Sequence, residues 1–214
     1  MMKGQFFPYK DENVTTKTPY FTYGLIAANL GIFLFSLLNF ENIVMAYGFV
    51  PAAPLLLTAL TSMFLHGDIF HVGVNMWYLY LFGDNVECVF GRFRFLAFYL
   101  VSGFVATAFH FMTNIQSDIP VIGASGAVSG ILGVYMVMFP HIKIRAVGFY
   151  TLWRLPTYVI MGSWFVLQLI LGLLSLTSGA GQVAFWAHIG GFVFGALVGL
   201  VFNRLYWKRL SKRY

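Results

Sequence analysis

The chain has 214 residues, of which 59% are hydrophobic and only 9% are charged. Because soluble domains carry about 25% charged residues, this composition excludes an ordinary soluble fold and indicates a protein embedded in a membrane. The single cysteine, Cys88, excludes an internal disulfide and a cysteine-cluster metal site.

Six apolar segments are predicted to cross the membrane. Residues 1–19 are polar and mixed in charge and are predicted to form a cytoplasmic tail; the first apolar run is too long for a signal peptide. A span needs about 20 mainly apolar residues, and the segments that qualify are Tyr20–Leu38, Ile69–Val86, Phe93–Met112, Ile122–Phe139, Pro156–Leu176 and Val183–Phe202. All six are predicted to be helices, because open strands cannot satisfy their backbone in lipid. Residues 20–203 are thus predicted to form one helical domain, followed by a basic tail, 204–214.

The first connecting segment, residues 39–68, is long, mostly apolar and interrupted by Pro51 and Pro54. It is too apolar for a solvated loop, so we expect it to lie partly in the outer leaflet of the membrane. A missed span is the alternative, against which the two prolines argue.

The positive charge of the chain indicates its topology. The net charge is +6, and with six spans and a cytoplasmic N-terminus all 13 lysines and arginines fall on the cytoplasmic side. This distribution predicts cytoplasmic termini and no nucleic-acid partner. Without a transit peptide, the plasma membrane of a bacterium or archaeon is the simplest location.

Three polar residues are predicted to lie at similar depth in spans 2, 4 and 6, which run in the same direction. At about 1.5 Å per residue, His71, Ser125 and His188 each lie about 22–24 Å from the cytoplasmic end of their span. Asn75 lies one turn below His71 on the same face. Polar residues in a membrane usually face the interior of a bundle or a water-filled cavity.

Glycine stripes predict which helix faces meet. Span 4 carries Gly126, Gly130 and Gly133, and span 6 carries Gly191, Gly195 and Gly199. This spacing permits close backbone approach, and packing the two stripes together would bring Ser125 near His188.

Each polar residue also has a purely structural explanation. A serine in an apolar helix often bonds its own backbone, and a membrane histidine can be a packed polar residue or part of a proton relay. His71 and Asn75 could form hydrogen bonds that join helices.

The residue set suits acyl-transfer chemistry without a metal. Ser125 could act as a nucleophile and His188 as its base. The seven acidic residues lie at helix ends or in loops, which favours a Ser-His dyad over a triad. They are Asp11, Glu12, Glu41, Asp68, Asp84, Glu87 and Asp118. His71, Asn75 and the Ser125 backbone N–H are suited to an oxyanion hole. No HExxH motif and no mid-span aspartate pair occurs, so neither a metal site nor a cofactor is predicted.

Three motifs follow one another along the chain: His66-x4-His71-x3-Asn75 in span 2, Gly123-Ala124-Ser125-Gly126 at the start of span 4, and Ala187-His188-x2-Gly191-x3-Gly195 in span 6. In this order, they resemble the rhomboid family of intramembrane serine proteases. The similarity extends from span 1 to span 6.

The resemblance implies an all-α membrane protein, a bundle of six transmembrane helices with a water-filled cavity open to the outside. It implies that Ser125 is the nucleophile and His188 the base, with His71, Asn75 and the Ser125 N–H as the oxyanion hole. His66 and Glu87 match supporting positions, as do the motif glycines Gly123, Gly126, Gly191 and Gly195. Span 5 and the Thr177–Gln182 loop would form the substrate gate. The implied partners are membrane lipid and single-span membrane proteins. These proteins would be substrates, with small residues at the cleavage site and helix-destabilising residues below it.

Two positions depart from the family pattern. Many members carry a Trp-Arg pair in the first loop, which is absent here, and Trp153-Arg154 lies in a different loop. Some members have a tyrosine four residues after the nucleophile, where this chain has Ser129.

Two other functions remain open from the sequence. One is a non-catalytic rhomboid-like factor for membrane-protein binding or quality control, although such relatives lack the dyad. The other is a small channel or transporter that uses membrane histidines as a relay. The sequence does not indicate the natural substrate or the oligomeric state.

Overall fold

The protein is a bundle of helices with a small sheet at one end. The computed structural model describes residues 6–13, 15, 17–148, 151–178 and 183–210, with the backbone alone at 177–178 and 205–210. The described helices are α1 (Tyr20–Ser36), α2 (Phe40–Tyr47), α3 (Leu56–Thr61), α4 (Ile69–Phe90), α5 (Arg92–Thr113), α6 (Ser125–Met138), α7 (Thr157–Ser178) and α8 (Phe185–Leu210). The predicted helical bundle is confirmed, and α1 and α4 to α8 correspond to the six apolar segments of the prediction.

Three of the described helices are long and apolar enough to cross a membrane. They cover Arg92–Thr113, Thr157–Leu176 and Phe185–Arg204, while α1 and α6 are apolar but shorter. The chain is therefore a membrane protein, and the number of six crossings stays a prediction.

Helix α6 lies at the centre of the bundle. Every residue from Gly126 to Tyr135 is buried. A methyl group on Gly191 or Gly195 of α8 would collide with the carbonyl oxygen of Gly126 or Gly130, respectively. The two glycine stripes therefore bring the backbones of α6 and α8 into direct contact, which is the packing that their spacing predicts.

The start of α6 differs from the prediction. The helix begins at Ser125 rather than at Ile122, because Gly123 adopts a φ of 126°, which a helix cannot contain. The Gly123 N–H donates to the Ser62 carbonyl at 2.9 Å, so the entry to α6 is fixed by the preceding loop. The nucleophile candidate is thus the first residue of its helix.

Helix α4 runs to Phe90, beyond the predicted end at Val86, so Asp84 and Glu87 lie within a helix. The Glu87 carboxylate accepts from the backbone N–H groups of Phe21 and Thr22 at 3.1 and 2.8 Å. It therefore caps the first turn of α1, where a negative charge is favoured.

A three-stranded antiparallel sheet, absent from the prediction, joins the N-terminal segment to the loop between α6 and α7. Its strands are β1 (Phe7–Asp11), β2 (Lys143–Gly148) and β3 (Thr151–Pro156), in the order β1-β2-β3. The Glu12 carboxylate receives hydrogen bonds from Arg145 and Arg154 at 2.7–3.1 Å. The N-terminal segment, predicted to be a tail, is thus partly a strand. We call this end of the bundle the sheet end.

The first loop, residues 39–68, contains α2, α3 and a 3-10 turn at Ser62–Phe64. Phe49 forms a β-bridge with Val121, next to the start of α6. At the other end of the chain, α8 continues to Leu210, through the beginning of the predicted basic tail. Residues 179–182 of the predicted gate loop and 211–214 of the tail lie outside the described residues.

Candidate active site

Ser125 and His188 are in hydrogen-bond contact. Ser125 opens α6, and His188 lies in the first turn of α8, so both occupy the end of the bundle opposite the sheet. The distance from Ser125 Oγ to His188 Nε2 is 2.8 Å. A serine hydroxyl and an imidazole at this separation have the geometry of a nucleophile with its general base.

The second ring nitrogen of His188 contacts Gln168, a residue that the sequence analysis did not identify. His188 Nδ1 lies 2.8 Å from the Oε1 atom of Gln168 in α7. A carbonyl oxygen only accepts, so Nδ1 carries the proton and Nε2 is left to accept from the Ser125 hydroxyl. Gln168 could have been found from the sequence, since it is a polar residue in the middle of an apolar span.

His71 reaches the segment that precedes Ser125. The Asp68 carboxylate accepts from the His71 backbone N–H at 2.8 Å and caps α4, so it fixes the turn that carries His71. The Gly67 N–H donates to His71 Nδ1 at 3.3 Å, which leaves the proton on Nε2. A methyl group on Gly123 would lie 2.7 Å from His71 Nε2. The N–H of His71 therefore lies against the backbone just before the nucleophile.

Asn75 is buried one turn further along α4. Its Nδ2 atom donates to the His71 carbonyl at 2.9 Å, and a carboxamide nitrogen carries a second hydrogen. The contacts recorded for Asn75 are with its own helix, so its approach to an oxyanion stays a prediction.

His66 supports the turn before α6. Its ring is fully buried, and its Nε2 atom accepts a long hydrogen bond of 3.4 Å from the Ala124 N–H. The His66 and His71 rings meet edge to face with centroids 5.0 Å apart. His66, near the end of the first loop, therefore packs against α4 and the segment before α6.

A cavity of about 30 Å³ adjoins Ser125, between α5, α6, α8 and the segment before α6. It is large enough for one or two water molecules. The polar side chains along it include His110 and Thr107. Within the described part of the chain, no group of three His, Cys, Asp or Glu side chains is placed to hold a metal.

The sequence model of the Rhomboid domain matches residues 53–205, which is more than half of the chain and includes all the residues placed at this site. The chain belongs to the rhomboid family.

Several curated rhomboid proteins are similar to the chain. Rhomboid protein 1, mitochondrial, of Saccharomyces cerevisiae is 26% identical over the whole of this chain and 64% of its own length. The presenilin-associated rhomboid-like protein, mitochondrial, of Bos taurus is 28% identical over 86% of this chain and 49% of its own length. RHOMBOID-like protein 1 of Arabidopsis thaliana is 34% identical over 66% of this chain and 33% of its own length. The chain thus covers between a third and two thirds of the length of these relatives.

Helix α7, rather than α6, supplies the aromatic neighbour of His188. At the α6 position where some rhomboids carry a tyrosine, this chain has Ser129, whose hydroxyl donates to the Ser125 carbonyl at 2.6 Å. The Trp164 ring of α7 instead lies 6.0 Å from the His188 ring, between centroids, at an interplanar angle of 34°. The Trp-Arg pair of this chain, Trp153 and Arg154, lies in β3 at the sheet end and not in the first loop.

Proposed function

We propose that this rhomboid is an intramembrane serine endopeptidase that uses a Ser125-His188 dyad. The observation that carries the proposal is the 2.8 Å contact between Ser125 Oγ and His188 Nε2, with the His188 proton on the other nitrogen. This is the tautomer that a general base requires.

In the first half-reaction, Ser125 Oγ attacks the carbonyl carbon of the scissile peptide bond while His188 Nε2 takes the hydroxyl proton. The negative charge passes to the carbonyl oxygen. The Ser125 backbone N–H, free because it opens a helix, and the N–H groups of His71 and Asn75 are the proposed donors to that oxygen. His188 then returns the proton to the leaving nitrogen, the C–N bond breaks, and an ester on Ser125 remains.

In the second half-reaction, water replaces the amine. His188 Nε2 removes a proton from a water molecule, which attacks the ester, and the same proton restores the Ser125 hydroxyl when the C–O bond breaks. The cavity of about 30 Å³ beside Ser125 supports this step, since it offers room for water within the bundle. The proposed reaction needs neither a metal nor a cofactor.

The proposed substrates are single-span membrane proteins, cut near the outer surface of the membrane. The dyad lies at the end of α6 and α8 opposite the sheet end, and the described lysines and arginines lie at the sheet end. By the positive-inside rule, the sheet end would face the cytoplasm and the dyad would open to the outer face. A plasma-membrane location is part of this proposal, as are the cytoplasmic termini.

Cleavage of a labelled single-span reporter in liposomes tests the proposal. Wild type, Ser125→Ala and Ser129→Ala are compared with and without EDTA. Ser129 is the matched control, because it is a buried serine one turn along the same helix that bonds its own backbone. We expect cleavage by wild type and Ser129→Ala, no turnover by Ser125→Ala, and no effect of EDTA.

Other results would contradict the proposal in distinct ways. Equal cleavage by Ser125→Ala and wild type would rule out Ser125 as the nucleophile. The absence of both cleavage and fluorophosphonate labelling of Ser125 would favour the alternative, a non-catalytic rhomboid-like factor that binds membrane proteins.

A further inference from the structure

Gln168 is a buried amide in the middle of an apolar helix. Its side chain is only 4% exposed, and its Oε1 atom lies 2.8 Å from His188 Nδ1. Removing a carboxamide from water is costly unless it forms hydrogen bonds. The bond to His188 connects α7 with α8 at the dyad.

This hydrogen bond selects one tautomer of His188. Neutral imidazole carries its proton on either nitrogen, and only the form protonated on Nδ1 can accept from Ser125 Oγ. Gln168 Oε1 can accept a hydrogen bond from the Nδ1–H group but cannot donate one. With the amide in this orientation, the other tautomer would place two acceptors 2.8 Å apart, so it is disfavoured.

Both recorded side-chain contacts that orient the His188 ring, apart from the nucleophile itself, come from α7. The Trp164 ring lies near the His188 ring and is tilted against it, and Gln168, one turn further along the helix, contacts Nδ1. Ser129 on α6 is directed to its own helix. The orientation of His188 therefore depends on α7.

We propose that Gln168 is the positioning residue for His188, holding its Nδ1–H so that Nε2 remains the base for Ser125. The inference rests on the proposed function and extends it to a Ser-His-Gln arrangement. Gln168 takes the position that a carboxylate occupies in a Ser-His-Asp triad. Its Oε1 atom fixes the tautomer and the ring orientation of His188. Because the amide is neutral, it supplies no negative charge to stabilise the imidazolium.

The test compares Gln168→Leu, which removes the acceptor at similar size, with Gln168→Glu, which keeps an acceptor oxygen. Ser163→Ala is the matched control on α7, since the Ser163 hydroxyl bonds only the Ile160 carbonyl among its recorded hydrogen bonds. We expect Gln168→Leu to lower kcat by about 10- to 100-fold, less than the roughly 10⁴-fold loss when a triad carboxylate is replaced. KM should change less than twofold, and Gln168→Glu should recover most of the lost rate.

Nitrogen-15 NMR of the histidine rings in detergent gives a readout independent of turnover, with the His188 signals assigned by their loss in His188→Ala. We expect wild type to show the proton on Nδ1, and Gln168→Leu to show a mixture of tautomers. An unchanged kcat, or a fall in kcat with an unchanged tautomer, would overturn the inference. If wild type neither cleaves the reporter nor is labelled at Ser125 by a fluorophosphonate, the proposed function fails, and the NMR comparison still decides whether Gln168 sets the tautomer.

Discussion

At the scale of single residues, the oxyanion donors on α4 can be tested directly. His71 keeps its Nε2 proton because the Gly67 N–H occupies Nδ1, and Asn75 lies one turn further along α4. We expect His71→Ala and Asn75→Ala each to lower kcat by about 10²–10³-fold, because charge on the carbonyl oxygen develops only in the transition state. Steady-state kinetics on the reporter measure this.

Asn29→Ala is the matched control for Asn75→Ala. Asn29 is a buried asparagine whose Nδ2 atom donates to the Leu25 carbonyl one turn earlier, the same bond that Asn75 forms with His71. It lies on α1, away from the dyad. If kcat of the folded protein falls equally in both variants, Asn75 has a structural role and the oxyanion assignment is wrong.

The contact between Ser125 and His188 could be predicted from the sequence, whereas the contact between His188 and Gln168 was not. Glycine spacing identifies the faces of α6 and α8 and sets their register through backbone contact. Helix α7 carries no comparable glycine stripe, so its rotation about its own axis cannot be derived in that way. Polarity alone singles out Gln168 within the predicted span, but the sequence does not show that Gln168 and Trp164 face His188.

At the scale of elements, the close packing of α6 against α8 predicts a sharp difference between glycines. A methyl group at Gly195 would collide with the Gly130 carbonyl, whereas one at Gly162 of α7 meets nothing within 4 Å. Gly195→Ala should destabilise the protein by about 1–3 kcal/mol, because two backbones must separate. Gly162→Ala should be neutral or slightly stabilising.

Thermal unfolding in detergent checks this pair of variants. A fall in Tm for Gly195→Ala, with Gly162→Ala at or above wild type, is the expected result. Equal Tm values for the two variants would mean that α6 and α8 are not in backbone contact. The Gly195 variant should also lose activity, since the Ser125–His188 distance depends on this packing.

Helix existence could be predicted from hydropathy, whereas two boundaries could not. Apolar residues continue on both sides of Gly123, yet α6 begins only at Ser125, because Gly123 has a positive φ. Likewise, Asp84 and Glu87 suggest the end of a span by their charge. Yet α4 continues, because the Glu87 carboxylate accepts hydrogen bonds from the first turn of α1, a tertiary contact that hydropathy does not report.

At the scale of the whole molecule, the sheet is the feature that the sequence analysis missed. Strand β2 alternates exposed and buried residues, with Ile144 and Ala146 inward, which is a strand pattern that can be read from the sequence. Its partner β1 lies more than 130 residues away, with Phe7 opposite Val147. Such a distant pairing has no local signal, so the N-terminal segment was predicted to be only a tail.

The sheet connects the N-terminal segment with three helices, α4, α6 and α7. Trp77 Nε1 of α4 donates to the Pro8 carbonyl at 2.8 Å, and Tyr135 Oη of α6 donates to the Asp11 carboxylate at 2.7 Å. Glu12 pairs with arginines of β2 and β3, and β3 leads directly into α7. The stability of the bundle should therefore respond to the ionisation of Asp11 and Glu12.

The two carboxyl groups have opposite effects on stability as pH changes. Burial raises the pKa of Asp11 to about 6, and the nearby Asp84 adds to this effect, against the hydrogen bonds from Tyr135 and Asn85. Protonated Asp11 therefore stabilises the fold fully below about pH 4, and this contribution is lost as pH rises through 6. Hydrogen bonds from Arg154 and Arg145 lower the pKa of Glu12 to about 2, so its contribution is present above about pH 4.5.

Unfolding at pH 5 and pH 7.5 separates these two effects. Ionisation of Asp11 should lower the stability of wild type by about 1 kcal/mol at the higher pH, because only about one pH unit of the shift lies above pH 5 and solvent screens this carboxyl. That corresponds to a fall in Tm of about 2–4 °C. Asp11→Asn keeps an acceptor for Tyr135 and should remove this part of the pH dependence. Glu12→Gln should lower Tm equally at both values, since Glu12 is ionised at both. An unchanged slope in Asp11→Asn would mean that another group titrates, and that the strand is not coupled to α6 through this carboxyl.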